Sequence, residues 1–456
     1  MRKLLALMVA ASFVLVPAAA RAAAPTNDDF ENATAISLSY QTTESIGEAT
    51  VQTGEPNPNC VPVDHTVWFS FTATRNAKVV ANFTGSDYTP AGGVYTGSSL
   101  SNLQLVACME DVPANTEPRM AFSVTRGKTY YLQVGTVAGR ATGTFQMRFD
   151  VAASIQGTVR NHDGRGLNGG CVTAFDENHL YAVSSGTARN GSYTLPWLSG
   201  GSYRIKFEDC GPRVDAPEWY DNAPSFDTAQ VINVGPGASV RGINATLALG
   251  ASISGVLTVA GSGAPAVDAC VRVFDQNQQL ASDVIPNAAS DGSYSIGPLA
   301  AGSYRLEFNG LGCSEKYFPQ WYAGKSDFAT ADVVNVTVGQ AVVGINAALR
   351  STSGTGSISG TVTDDLGNPV QPICADAVIA ENQATVGSVL TGADGSYTIS
   401  GLATGTYKVV FGNCWTTQPY QVEWFQEKND ISSADPVSVT DGVNTSGVDE
   451  VMTPSS

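Results

Sequence analysis

Histidine is scarce in this chain: His65, His162 and His179 are the only three, and no Cys-x-x-Cys occurs. A zinc site of the Cys/His type therefore has no ligand set. Gly-x-Ser-x-Gly, His-Glu-x-x-His and phosphate-loop patterns are also absent, so the hydrolase and nucleotide chemistries that depend on them find no anchor. Charged residues make up 14% of the sequence, and cations are the rarer sign: 24 Lys and Arg stand against 41 Asp and Glu, a formal charge of −17. An acidic chain without a basic cluster repels phosphate backbones, so nucleic acid is not an expected partner. The acidity itself serves solubility. Beyond residue 22 there is no run of about eighteen apolar residues, the length a spanning helix needs.

What is present is repetition. Asp394-Gly395-Ser396-Tyr397 has earlier copies at Asn190-Gly191-Ser192-Tyr193 and Asp291-Gly292-Ser293-Tyr294. Each is followed ten residues on by a second tyrosine, at Tyr203, Tyr304 and Tyr407. Asn-Gly and Asp-Gly make tight turns because these residue types tolerate positive φ. Apolar alternation at period two follows (Tyr397, Ile399), then a glycine, then a second alternating run (Tyr407, Val409, Phe411). That pattern predicts a β-hairpin. Its recurrence about every hundred residues predicts three copies of one small all-β domain.

Residues 1–22 read as an export signal. Arg2 and Lys3 precede the apolar run Leu4 to Val16, and Ala20-Arg21-Ala22 forms an Ala-x-Ala cleavage site. The C-terminal Val451 to Ser456 carries neither a hydrophobic tail nor a wall-sorting signal, so the expectation is a secreted protein without a transmembrane segment. Export places thiols where they oxidise. Eight cysteines allow about a hundred pairings in principle. Repetition reduces these to one bridge per block: Cys60–Cys108, Cys171–Cys210, Cys270–Cys313 and Cys374–Cys414. The spacings in the repeats are 39, 43 and 40 residues. Each bridge is expected to tie the first cysteine's strand to the end of the hairpin across a small core.

Residues 23–151 read as a separate domain of short strands divided by Gly, Asn and Pro. Asn27-Asp28-Asp29-Phe30, Val67-Trp68-Phe69-Ser70-Phe71, Val94-Tyr95-Thr96-Gly97 and Thr129-Tyr130-Tyr131-Leu132-Gln133-Val134 together resemble bacterial pre-peptidase C-terminal domains. The resemblance implies a jelly-roll-like β-sandwich with an accessory, non-catalytic role, and some relatives bind calcium or collagen. Residues 152–249, 250–350 and 356–452 form the repeats. Their order of elements and Asp-Gly-Ser-Tyr turn are similar to carboxypeptidase regulatory-like domains, which implies a small transthyretin/immunoglobulin-like sandwich. Related B-type domains of Gram-positive adhesins carry a Lys–Asn isopeptide bond with the lysine on the first strand. Here Ser154-Ile155-Gln156-Gly157-Thr158-Val159 and its two counterparts hold no lysine, so the disulfide takes that place. The fold class expected is all-β, four tandem β-sandwiches joined by short linkers into a semi-extended rod.

Two groups of residues are candidate ligand sites. Trp219-Tyr220, Trp321-Tyr322 and Trp424-Phe425 follow each second cysteine. Exposed, they would stack on sugar rings; buried, they would plug the end of their own sandwich. Asn27, Asp28, Asp29, Glu55 and Asp64 offer oxygen ligands of the kind calcium takes, or else Asp28 or Asp29 caps a turn at Phe30. Asp291 and Asp394 have turn geometry as their whole task. The reading is a secreted, monomeric, non-catalytic protein that binds or spaces extracellular polysaccharide or a protein matrix, without a cofactor unless calcium. The alternative is a secreted hydrolase with an unrecognised site.

Overall fold

The computed structural model describes residues 23–109, 113, 115–282, 285–412 and 420–455. The expected export signal and Cys414 lie outside them. Every regular element described is a strand, apart from two single 3-10 turns. The first sandwich contains β1 (Thr34–Ile36), β2 (Tyr40–Ser45), β3 (Val63–Thr72), β4 (Ala77–Asn82) and β5 (Pro90–Thr96). It is completed by β6 (Gln104–Met109), β7 (Arg119–Val124), β8 (Thr129–Val137) and β9 (Thr144–Val151). One sheet has the order β1-β3-β8-β5-β6 and the other β2-β9-β4-β7. Alternation along β9 sends Phe145, Met147 and Phe149 inward. They meet the facing sheet at Phe69 and Phe71, with ring centroids 6.1 Å apart for Phe69–Phe145 and 4.9 Å for Phe71–Phe149.

A single residue, Ala152, separates β9 from β10 (Ala153–Arg160), the first strand of repeat 1. The repeat continues with β11 (Gly170–Asp176), β12 (Tyr181–Gly186), β13 (Ser192–Leu198), β14 (Gly201–Asp209) and β15 (Glu218–Trp219). It ends with β16 (Ile232–Val234), β17 (Ser239–Arg241) and β18 (Ala245–Thr246). One sheet is β13-β10-β17 with β18 also on β10, and the other is β12-β11-β14-β15 with β16 on β14. Repeat 3 reproduces this plan around its first strand, Ser353–Thr363, and repeat 2 around Ala251–Val259, except that repeat 2 has no counterpart of β12 among the described residues.

The topology corrects the hairpin expectation. The run that starts at Tyr193 pairs with β10, whereas the run that contains Tyr203 pairs with β11, so the two lie in opposite sheets. Each run has one buried face. Alternation records that one-sided burial and cannot say whether the next run is a neighbour or faces it across the core. The bridge expectation shifts accordingly. Cys171 sits on β11 and Cys210 just beyond its sheet neighbour β14, so the bond ties the ends of adjacent strands and does not cross the core. The pairs Cys60–Cys108, Cys171–Cys210 and Cys270–Cys313 are bridged, with Cα atoms 6.5, 5.7 and 5.6 Å apart. Cys374 is also disulfide-bonded.

The repeated motif supplies the local chemistry of the fold. In each copy the Asn or Asp carbonyl or carboxylate oxygen accepts from the serine two residues on. Asp291 Oδ1 takes Ser293 N at 2.9 Å and its hydroxyl at 2.6 Å, and Asp394 and Asn190 do the same to Ser396 and Ser192. The glycine between them holds φ of +80°, +80° and +75° in turn, a region closed to most side chains. The motif tyrosine then reaches the last strand: Tyr193, Tyr294 and Tyr397 donate to the carbonyls of Ile243, Ile345 and Val448 at 2.7, 2.6 and 2.6 Å. Those carbonyls belong to a break between two short strands that run parallel to the first strand, β17 and β18 in repeat 1. The second tyrosines, Tyr203, Tyr304 and Tyr407, donate to Ser199, Ala300 and Ala403 and close the turn between the sheets.

Beneath each break lies a glycine of the first strand. A Cβ on Gly157, Gly255 or Gly360 would sit 1.8, 2.0 or 2.0 Å from that carbonyl oxygen. The neighbouring residue is fixed by a side chain from the break: Asn244 Oδ1 accepts from Thr158 N, Asn346 Oδ1 from Val256 N, and Asp449 Oδ1 from Thr361 N. Gly360→Ala should therefore cost repeat 3 about 3 kcal/mol, because backbone on both sides must move. Chemical denaturation resolves this, and a midpoint within experimental error of the parent would refute the packing argument.

Neighbouring sandwiches are joined by hydrogen bonds as well as by chain. Gly237 N donates to Val151 O at 2.8 Å at the first junction, and Gly339 N to Leu249 O at 3.0 Å at the second. At the third, Phe318 N donates to Arg350 O and Thr352 N to Lys316 O. The strand of repeat 3 begins at Ser353, so the expected linker up to Gly356 is already sheet. Phe318 leaves its own repeat and enters the core of repeat 3, 5.9 Å from Tyr407, with the Arg350 guanidinium 4.5 Å over its ring.

Candidate functional site

The three aromatic pairs stand on short strands that hydrogen-bond to the strand ahead of each second cysteine, as β15 does to β14. In each, the tryptophan opens a tight loop whose ends bond reciprocally, Trp219 with Ala223, Trp321 with Lys325 and Trp424 with Lys428. Trp219 is buried against Phe175 and Phe226, with centroids at 5.2 and 5.5 Å. His179 stacks on Phe226 at 3.9 Å and Arg204 lies 4.5 Å over the same ring. Burial holds the His179 imidazole below its usual pKa. Repeat 2 rebuilds the cluster from Phe274, Trp321, Phe328 and Arg305. Repeat 3 has Val378 and Ile431 at the ring positions and Lys408 in place of the arginine, and there Trp424 is only half-buried. Tyr220, Tyr322 and Phe425 are half-buried against their own cores. Trp219 and Trp321 are each 9% exposed, which leaves little indole face for a sugar.

Sequence reading missed the cation over the phenylalanine ring, although its signal was available: Arg204, Arg305 and Lys408 each directly follow the second tyrosine. The arrangement contributes packing and a cation–π contact at the loops of repeats 1 and 2.

The five oxygen-bearing residues near the first sandwich's start are dispersed among other partners. Asn27 Nδ2 donates to Trp68 O, and Trp68 N donates back to Asn27 O. The Asp28 carboxylate accepts from Thr50 N at 2.7 Å and from its hydroxyl at 2.8 Å. Asp29 precedes the 3-10 turn Phe30–Asn32 without a side-chain capping bond. The Glu55 carboxylate accepts from Thr66 Oγ1, Trp68 Nε1 and Gln133 Nε2, and so anchors the fully buried Trp68. Asp64 lies on β3 opposite Thr136. Among the described residues no group of three or more His, Cys, Asp or Glu is placed to hold a metal ion. Asn27, Asp28 and Glu55 are thus engaged by partners within the sandwich, and chelation is expected to leave its melting temperature unchanged. A fall in a calorimetric scan with chelator would reverse that assignment.

Two carboxyls stand out by their ionisation. Burial, with Asp221 nearby, pushes Glu218 up to about 7. Burial, with Glu423 and Glu427 adding repulsion, pushes Glu450 up to about 7, although its oxygens accept from Gln426 N and Glu427 N. They lie in different repeats and do not form an acid–base pair. Glu450 has a consequence for stability. Its folded pKa lies above the unfolded value, so its contribution is whole below about pH 4.5 and is lost as the pH rises through about 7. Glu450→Gln is expected to raise the melting temperature of repeat 3 relative to the parent near pH 8 and to leave the difference small near pH 4. A variant less stable than the parent at the higher pH would contradict the sign.

No family model matches the chain. Among curated proteins it is similar to serine-aspartate repeat-containing protein D of Staphylococcus aureus strain Newman, 25% identical over 320 residues, covering 62% of this chain and 22% of the relative. The chain thus spans about a fifth of the length of the curated relatives it matches. Among solved structures, the Bacillus anthracis TIE protein aligns with 85% of this chain and 75% of its own at 11% identity and a TM-score of 0.21. A streptococcal ancillary pilin aligns with 65% and 98% at 12% identity and a TM-score of 0.26. Scores of this size establish no shared fold, and the β-sandwich architecture rests on the strand pairing described above. Among the described residues no helix is long and apolar enough to cross a membrane.

Proposed function

We propose that the protein is a secreted, monomeric, non-catalytic module of the cell exterior that binds or spaces polysaccharide or a protein matrix. The observation that carries this reading is the use of the recurring residues. Asp-Gly-Ser-Tyr, the second tyrosine and the strand glycine are consumed in building each sandwich, and Gly237, Gly339 and Phe318 in joining it to the next. A chain built in this way holds its sandwiches in register and so fixes the distance between its ends. Such work suits an accessory or spacing protein. The resemblances to pre-peptidase C-terminal and carboxypeptidase regulatory-like domains support the same role, as does the likeness to a repeat-containing protein.

The test is to incubate the purified chain with insoluble polysaccharides, matrix-coated surfaces, and soluble glycan and peptide panels. Retention on a polysaccharide or matrix without turnover is the expected result. Turnover that survives chelation and repurification would replace this reading with a hydrolase.

A further inference from the structure

His162 stands where repeat 1 meets repeat 2. It lies in the turn between β10 and β11, with Nδ1 2.5 Å from Asp215 Oδ1, and its backbone N–H donates to the same oxygen at 3.1 Å. Asp215 is 2% exposed. It belongs to the segment that follows Cys210, and Asp209 pins that segment from its other end. The buried Asp209 carboxylate accepts from Gly211 N, Val214 N and Asp215 N.

The pinned segment holds the chain that enters repeat 2. Ala216 N donates to Ala248 O at 2.8 Å and Gly250 N to Val214 O at 2.9 Å, with Asp215 opposite Leu249 between them. A Cβ on Gly250 would stand 2.8 Å from Val214 O and 2.3 Å from Pro298 Cβ of repeat 2, so the three are packed closely. Residues 209–216 therefore act as a clasp on residues 248–250.

Repeat 2 clasps repeat 3 with the same backbone pattern and different side chains. Phe318 N donates to Arg350 O and Thr352 N to Lys316 O, with Tyr317 opposite Ser351. There the segment is held by the fully buried Asn309. Its Nδ2 donates to Ser314 O at 2.7 Å and to Tyr317 O at 2.5 Å, and its Oδ1 accepts from Ser314 N. An amide does not titrate. The first clasp does the same work with two carboxylates and an imidazole, and an imidazole changes charge in the physiological range.

The charges that act on the His162 ring are Asp215, across the clasp, and Asp163, whose Oδ1 is 3.5 Å from Nε2. Arg165 reaches the other Asp163 oxygen at 3.9 Å. The hydrogen bond to Asp215, with the Asp163 charge adding to it, raises the His162 pKa against the opposing effect of burial. A histidine raised in this way contributes stability that is whole below its ordinary value of about 6.5 and is lost as the pH rises through the raised one. The neutral ring keeps one N–H and can still donate. What leaves with the proton is the cation paired with a buried carboxylate.

We propose that residues 209–216 form a pH-sensitive clasp, closed on repeat 2 while His162 is protonated and loosened when it is neutral. The junction of repeats 1 and 2 then stiffens in mildly acidic surroundings, while the junction of repeats 2 and 3 does not respond. This goes beyond the function proposed above and requires no ligand.

Hydrogen exchange of single amides in the full chain, at pH 6 and pH 9 and corrected for the intrinsic rate, provides the test. Glu218 and Glu450 also titrate, so each clasp is referred to a sheet ladder of its own repeat, β11–β14 in repeat 1 and the partners of Val271–Phe274 in repeat 2. Relative to its ladder, protection of Ala216 N and Gly250 N is expected to fall at least about threefold from the lower to the higher pH. Protection of Phe318 N and Thr352 N is expected to keep a constant ratio to its own. His162→Gln, a change on a surface turn, is expected to abolish the fall at the first clasp. The proposal is overturned if Ala216 and Gly250 in the parent keep step with the β11–β14 ladder, if the second clasp falls as much as the first, or if His162→Gln retains the parent's pH dependence.

Discussion

Phe318→Ala is expected to lower the melting temperature of repeat 3 by roughly 20 °C, although the residue belongs by sequence to repeat 2. Its ring is 5% exposed and is counted in the core around Ile358, Tyr407 and Phe411. Emptying a buried phenylalanine site costs about 4 kcal/mol, and a domain of about a hundred residues loses several degrees per kcal/mol. The cavity would lie against Gly405, where a Cβ would already touch the Phe318 ring at 2.6 Å, so little is available to collapse into it. Tyr317, the preceding residue, points the other way, into the core of repeat 2, and donates its hydroxyl to Val267 O. Tyr317→Phe should therefore move only the repeat 2 transition, and by about 1 kcal/mol. Calorimetry that resolves the two transitions decides the matter. A repeat 3 transition unmoved by Phe318→Ala would mean that the ring does not belong to that core.

The second large effect concerns the Cys171–Cys210 bridge. Replacing both cysteines with serine is expected to destabilise repeat 1 by about 4 kcal/mol, the chain-entropy value for a closed loop of this length. The sequence separation is 39, and the loop contains β12, β13 and β14 entire and all of β11 but its first residue. Without the bond those strands gain freedom in the unfolded chain, while the native sheet keeps its β11–β14 ladder from Gly170↔Asp209 to Asp176↔Tyr203. The repeat should therefore remain folded at room temperature and unfold at lower denaturant. Non-reducing peptide mapping of the parent is the companion measurement. A peptide that joins Cys171 to a cysteine of another repeat would overturn both the pairing and the stability estimate.

The all-β class, the threefold repetition and the grouping of cysteines into blocks were legible because each leaves a periodic trace. Asp291-Gly292-Ser293-Tyr294 states its own turn, and the ladder of apolar residues after it states a half-buried strand. The partner of that strand left no trace, since Tyr193 and Tyr203 show the same alternation whether their strands are neighbours or face each other. The reason for Gly157 was hidden for a similar cause, because the oxygen it must avoid belongs to Ile243, far along the chain. The tryptophans could not be placed from sequence because their cover, Phe226 and Phe328, comes from a loop whose path follows only from the fold.

The parallel placement of first and last strands has a mechanical consequence. In each repeat the strand that enters the domain pairs in parallel with the strands that leave it: β10 with β17 and β18, Ala251–Val259 with Ala341–Val342 and Ala347–Leu349, and Ser353–Thr363 with Asn444–Thr445 and Glu450–Val451. Tension applied between the two ends of a repeat therefore pulls these strands past one another along their length. The hydrogen bonds of a parallel ladder lie across that direction, so they share the load and must fail together, where a hairpin pulled from one end would unzip bond by bond. The motif tyrosine adds to that resistance, since Tyr193, Tyr294 and Tyr397 hold the carbonyl between the two exit segments. A chain of such units would extend under shear flow only after a high yield force, and each bridged loop would then limit how far its repeat could lengthen.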